Sequence, residues 1–329
     1  MSNHPKLLIG AAILVVMALL PLAVYPVLLM KVMCFAIFAC AFNLLLGFTG
    51  LLSFGHAMFF GGGAYVAGYL MKAHAVPPEL AWLAALVAGA VAGGAVGWLA
   101  IRRTGIYFSM VTLALAQMAY FYFVTSPLTG GEDGIQSIPR QPVLGFINGA
   151  DDHILYYVIM AMFVCLWLLI WRIVHSPFGQ SLKAIRDNEA RAISLGYRAS
   201  RYKLLAFVIS AAIAALAGGM KSYIFQLASL TDVGWHMSGE VVLMALIGGI
   251  GTLTGPVVGA AFLILLSDAL ASYGEWVVVI QGAIFVAVVL LFRKGLVGTL
   301  SELPGLITRL RRPKAKSAEK LNKDKIITE

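Results

Sequence analysis

The sequence predicts an all-α, polytopic membrane protein of about ten membrane segments, and three observations carry that class. Hydrophobic residues make up 60% of the 329 and charged residues 12%, with a mean hydropathy of +0.89, values foreign to a water-soluble domain. The apolar residues come in runs near the ~20 needed to cross a bilayer core as helix. The basic residues then sort to one side: with residues 176–203 placed inside, 20 Lys and Arg lie there and four, Lys31, Lys72, Arg140 and Lys221, lie opposite. That distribution ties the net charge of +9 to the inner face of a membrane, so no nucleic-acid partner is expected.

Taken in order, residues 7–28 read as a first span kinked around Pro21 and Pro26, and 31–47 as the second. Gly47, Gly50 and Gly55 break the pattern before a third segment, Ala57 to Met71, whose Gly61, Gly62, Gly63 and Gly68 allow close helix packing. The fourth, Leu80 to Ile101, carries Trp82 and Trp98 about 24 Å apart along a helix, a separation suited to two interfacial belts. Ile106 to Thr125 is the fifth, 126–153 a polar loop, and Ile154 to Trp171 the sixth. After the 176–203 loop, Leu204 to Ile224 is the seventh, followed by a polar connection over 225–238. Glu240 to Ile250 is too short to cross and reads as a half-span, and Pro256 to Ser272 and Glu275 to Phe292 complete the set. Both termini fall on the inner side, and the chain divides into an integral membrane domain, 1–298, and a basic tail, 299–329, rich in Arg309, Arg311, Arg312, Lys314 and Lys316. Cys34, Cys40 and Cys165 all sit in apolar runs without redox or zinc spacing, and buried free thiols are expected.

Ser176 to Lys203 is the longest soluble-looking run between membrane segments. Pro177 can start a helix, and Leu182, Ile185 and Ile193 recur at helical spacing among charges. Asp187 or Asn188 can cap a second short helix ending at Gly196, and Ser200 can cap the following span. Two short helices at a membrane surface are the predicted form; a solvated loop between spans fits the same charges.

Motifs for catalysis are absent: there is no HExxH, no GxSxG, no P-loop and no carboxylate pair in mid-segment. The set of buried ionisable groups that ion-coupled carriers use is thin, comprising Asp268 and Glu240 near segment ends and His56 at a cytoplasmic turn. His56 fits a structural hydrogen bond or a transport role. The paired glycine breaks at 47–55 and 248–256 fit either a pathway containing Ser53 and Thr252 or close helix packing, and Ser109, Thr112 and Gln117 of the fifth segment fit either a place on that pathway or hydrogen bonds between helices. Ser109 and Thr112 share a face; Gln117 is placed to turn away.

Six stretches in order resemble the permease subunits of branched-chain amino-acid ABC transporters, of the LivM type: NLLLGFTGLLSFGHAMFFGGGAY (43–65), RRTGIYFSMVTLALAQM (102–118), TGGEDGI (129–135), the 176–203 loop, GGIGTLTGP (248–256) and LLFRKGLVG (290–298). The resemblance implies a bacterial inner-membrane importer subunit for leucine, isoleucine or valine, with permeases for urea, amides or other amino acids as alternatives and a stand-alone secondary carrier as the contrasting class. It implies a LivH-type second permease, two cytoplasmic ATPases that bind ATP-Mg, a periplasmic binding protein, and no cofactor on this chain. The 176–203 loop is then similar to the coupling loop of ABC importers, which assigns ATPase coupling to Phe178, Leu182, Ile185, Arg186, Asp187, Asn188, Glu189, Ala192 and Gly196. Arg191 stands where that loop's pattern has a second alanine, and Gly196 lies one residue further on than the pattern has it.

Overall fold

The computed structural model describes residues 15–274, 276–292 and 295–299. The basic tail over 300–329, the first half of the expected first span and both termini lie outside the described residues. Eleven helices are used below. They are α1 (Pro26–Thr49), α2 (His56–His74), α3 (Pro78–Ala100), α4 (Ile106–Thr125), α5 (Asp152–His175), α6 (Pro177–Asp187), α7 (Glu189–Ser194), α8 (Ala199–Phe225), α9 (Trp235–Gly248), α10 (Gly255–Ala269) and α11 (Trp276–Leu291). A two-residue antiparallel pair, β1 (Ile135–Gln136) and β2 (Leu227–Ala228), ties the two long connections together at the end opposite α6 and α7.

Five of these helices, α1, α3, α4, α5 and α8, are long and apolar enough to cross a bilayer, while α9, α10 and the middle of α11 are shorter apolar helices. The chain is therefore an all-α multi-pass membrane protein. Boundaries differ from the sequence expectation at α9, which starts at Trp235 inside the expected polar connection, and at α1. Pro26 opens α1 rather than kinking the first span, because a proline lacks the N–H that a first helical turn leaves unbonded. The bend falls instead in the short 3-10 turn at Leu20–Leu22.

The bundle is organised around α1 and α8, whose apolar windows are both mostly buried. Small residues make this possible. On α3 the buried positions Ala81, Ala85, Gly89, Gly93 and Gly97 repeat every four residues, one stripe of a helix. A Cβ on Gly93 would lie 2.6 Å from the Ala211 methyl, and one on Gly97 would lie 2.9 Å from side chains of Leu204 and Phe207, so α3 packs along α8 at backbone distance. The partner stripe on α8 is alanine from 211 to 217 with one leucine and one isoleucine. By contrast α4 turns only Phe108, Ser109, Thr112 and Ala116 inward, a narrow face at helical spacing.

Two expectations are corrected here. Trp82 is not an interfacial residue: it is buried, edge-on to Tyr223 at 5.6 Å, because the end of α8 covers it. Trp98 does lie at an exposed helix end, with the Arg102 guanidinium 4.2 Å above its ring. Cys34 and Cys40 are buried, but Cys165 is exposed, since it lies off the buried stripe of α5 formed by Tyr156, Ile159, Phe163, Leu166 and Ile170.

Candidate functional site

The 176–203 segment folds as two short helices. The Ser176 side chain accepts from the Gly179 N–H and caps α6, which starts on Pro177. Asn188 Oδ1 accepts from the Arg191 N–H at 2.9 Å and caps α7. Gly196 ends the pair with φ +89°, and the Tyr197 N–H reaches back to the Ala192 carbonyl at 3.1 Å. The cap on α8 is Arg198, without a side-chain bond, so Ser200 is not a capping residue: helix begins one residue before it.

Of the nine residues that the resemblance assigns to coupling, the structure turns three inward. Leu182, Ile185 and Ala192 are buried; Ile185 and Ala192 pack with Ala199 and Tyr202 at the foot of α8. Phe178 is half-buried and stacks on Tyr202 at 5.7 Å. Glu189 binds the almost fully buried Lys203 Nζ at 2.7 Å, which pins α7 to α8. Asp187, Asn188 and Gly196 remain at the surface. Beside them Ile193, Leu195 and Tyr197 are 55%, 71% and 39% exposed, an apolar surface at a loop tip that its interior does not use. Helical period alone marks both faces of α6 and α7 as amphipathic and does not say which one packs on the bundle.

Gly50, at φ +73°, ends α1, and residues 50–55 double back into the bundle before α2 starts at His56. Backbone away from water must find partners, and side chains of α4 supply them. Ser109 Oγ donates to the Leu52 carbonyl at 2.6 Å, and the Phe54 N–H donates to Thr112 Oγ1 at 3.2 Å. Ser53 Oγ accepts from Gly55 N–H, and Ser238 of α9 accepts from Ala57 N–H at 3.0 Å. His56 is consequently not at a turn on the membrane face. Its Nε2 bonds Ser210 Oγ at 2.7 Å, and Ser210 lies eleven residues into α8, about 17 Å along it. Ser210 Oγ itself donates to the Ala41 carbonyl, so it accepts from His56 and the proton sits on Nε2. The rings of Phe42, Phe59 and Phe207 surround the imidazole edge-on.

The second break, 249–254, joins α9 to α10 and contains Gly249 and Gly251 at positive φ. Thr252 Oγ1 donates to the Gly249 carbonyl at 2.8 Å and accepts from Gly255 N–H at 3.1 Å. The turn is held against α1 by Asn43, whose Oδ1 accepts from Gly251 N–H at 3.0 Å while its Nδ2 donates to the Thr252 carbonyl at 2.7 Å. A Cβ on Gly47 would stand 2.6 Å from the Gly251 nitrogen, so α1 and the break touch backbone to backbone. From the loop side, Arg186 Nη1 donates to the Gly47 carbonyl at 2.6 Å, and its Nε and Nη2 donate to Asp187 Oδ1 at 3.1 and 2.9 Å.

The structure therefore gathers Ser53, Ser109 and Thr112 around one break, with His56 just beyond it, and sets Thr252 within the other. Ser53, His56, Ser109 and Thr112 are buried inside this chain, with hydrogen bonds to backbone or to Ser210. Gln117 lies apart, in a hollow of about 520 Å³ with Tyr120, Phe121, Leu230, Thr231, Gly234, Trp235 and His236.

Sequence reasoning missed Asn43, Arg186's reach to α1, and a buried ion pair between Lys221 and Asp232. The sequence signal for the first was a lone amide inside an otherwise apolar helix. At the same end of the bundle Arg140 bonds Asp152 at 2.7 Å and the Ile224 carbonyl at 2.6 Å, and Lys72 donates to the Gln136 carbonyl at 2.8 Å. Three of the four basic residues on the sparse side thus have fixed partners. Among the described residues no three His, Cys, Asp or Glu gather as a metal site.

Residues 26–289 match the family model described as the permease component of branched-chain amino acid transport systems. The chain is 26% identical over 290 residues to the high-affinity branched-chain amino acid transport system permease protein LivM of Escherichia coli, covering 80% of this chain and 68% of that one. It is 25% identical over 283 residues to LivH of the same system, covering 80% and 91%. The autoinducer 2 import system permease protein LsrC of an Enterobacter strain is 28% identical over 220 residues, covering 64% and 62%. No solved structure matches.

Proposed function

This chain belongs to the family of permease components of branched-chain amino acid transport systems, and from that premise we propose that it is one transmembrane half of an ATP-driven importer. In this reading it sits in a bacterial inner membrane beside a LivH-type permease, with two ATPases that bind ATP-Mg, one of them docked on the 176–203 loop, and a binding protein delivering solute on the opposite side. Residues 1–298 form the permease and 299–329 a cytoplasmic extension. The solute is leucine, isoleucine or valine.

The observation that carries the reading is the build of the loop. Its inner face is fastened to the bundle by Leu182, Ile185, Ala192 and the Glu189–Lys203 pair. Its outer face shows Ile193, Leu195 and Tyr197 among Arg191, Arg198 and Asp187. An apolar centre with a charged rim is the composition of a protein docking site, the charges setting register and the apolar groups supplying affinity. Through Arg186 the loop is also joined to the last turn of α1, beside both helix breaks. Ion coupling finds little support: His56 is enclosed by aromatic rings without a carboxylate among its bonded partners.

The similarity to an autoinducer 2 permease shows that related chains are named for another solute; in the proposed importer, selection among solutes rests with the binding protein. Purification of the tagged chain from cells that express all five subunits tests the reading. Both ATPases are expected to co-purify, and Leu195→Asp is expected to release them while the chain stays in the membrane. Co-purification unchanged by Ile193→Asp and Leu195→Asp together would refute the docking surface.

A further inference from the structure

We propose that Arg186 is the positioning residue that joins the loop to both non-helical breaks, so that movement of α6 changes the distance between 50–55 and 249–254. The proposal rests on the reading of 176–203 as a coupling loop.

Arg186 lies at the end of α6, and its guanidinium crosses to the last turn of α1. There the Leu51 N–H has turned back to the Leu45 carbonyl, and Gly50 has left the helix, which frees the Gly47 carbonyl for the guanidinium. A cation at a helix C-terminus is favoured by the carbonyl dipoles. Three sites lie around this one side chain. It bonds Gly47; a Cβ on Gly50 would be 3.1 Å from its Cγ; and one on Gly251 would be 3.7 Å from its Nη1. The first break begins at Gly50 and the second contains Gly251, so the guanidinium stands where both breaks meet α1. Asp187 accepts from Nε and Nη2 and fixes the plane of the fork, an orientation a lysine has no way to reproduce. Asn43 completes the joint one helical turn deeper by binding the second break to α1.

The consequence is mechanical. The loop is held to α8 by the Glu189–Lys203 pair and to α1 by Arg186, and the Arg186 contact is the one that reaches both breaks. Cutting it leaves the loop folded and docked but leaves the breaks without its lead.

The test uses the full complex of this chain, the second permease, both ATPases and the binding protein in proteoliposomes, with labelled leucine as probe. Arg186→Ala is expected to lower the leucine taken up per ATP hydrolysed about tenfold, toward the lower end of coupling between linked sites. Arg186→Lys and Asp187→Asn are expected to give smaller losses in the same direction. Spin labels at Gln180 of α6 and at Ile250, both exposed, are expected to keep one distance in every nucleotide state of the parent complex and to broaden in Arg186→Ala. Unchanged uptake per ATP, or an unchanged label distance, overturns the assignment of Arg186. Failure of the parent chain to retain ATPases overturns the coupling-loop reading itself, and the inference with it.

Discussion

Replacing Asn43 by alanine tests the joint between α1 and the second break. Both amide groups of Asn43 are used, at 3.0 Å to the Gly251 N–H and 2.7 Å to the Thr252 carbonyl, and the side chain is 2% exposed. Alanine leaves both backbone groups of this partly buried turn without their partners. An unpaired buried group costs about 1–3 kcal/mol, whereas polar contacts between membrane helices measure about 0.6–2 kcal/mol each. Two lost bonds therefore amount to about 2–4 kcal/mol. Thr252→Val removes the two bonds inside the same turn, to Gly249 and from Gly255. Because the pair shares one segment, the double variant is expected to depart from additivity by about 0.5 kcal/mol or more. Unfolding of the purified chain in mixed micelles, followed by tryptophan fluorescence, measures all three. A loss below about 0.5 kcal/mol for Asn43→Ala would refute the claim that this amide holds the break.

The Lys221–Asp232 pair is predicted to be asymmetric. Lys221→Met strands a carboxylate that is 1% exposed and is expected to cost about 3–5 kcal/mol, while Asp232→Asn costs less because a freed lysine stem can extend toward water; the double apolar variant is expected to recover most of the loss in the same unfolding assay. Glu189→Lys sets two cations against each other at the foot of α8 and is expected to lower uptake and stability together, whereas Glu189→Gln lowers both less; equal effects would show that Glu189 acts on an ATPase rather than on Lys203. Gly93→Val is expected to prevent close packing of α3 on α8 and to reduce the amount of folded chain in the membrane, read by detergent-resistant extraction, because even a Cβ would stand 2.6 Å from the Ala211 methyl.

The architecture was legible wherever a residue acts through its own backbone. Pro177, Asn188 and Gly196 mark the ends of α6 and α7 because a helix start or cap is decided within a few residues, and the fifth segment is read without error from 106 to 125. Depth and facing were not legible. The glycines of 47–55 announce a break but not that the chain re-enters the bundle, since that depends on Ser109 and Thr112 of another helix and on Ser210 of a third. For the same reason Leu182 and Ile185 read as a face offered to a partner, whereas both are buried within this chain, Ile185 against the foot of α8. Trp82 reads as a belt residue until Tyr223 is placed against it, and Pro21 and Pro26 carry identical signals of which one is a helix start. In the candidate site, hydroxyl residues were found by type, but Asn43 and the reach of Arg186 to α1 were not, because the partners lie 208 and 139 residues away in sequence.

The central claim is that this chain moves solute only when ATPases drive it. The direct measurement is uptake of labelled leucine into proteoliposomes holding this chain alone, and holding it with the second permease, both ATPases, the binding protein and ATP. The account predicts accumulation in the complete system and none when any component or ATP is left out. Leucine accumulation by the chain alone, without ATP, would contradict it and make the protein a secondary carrier.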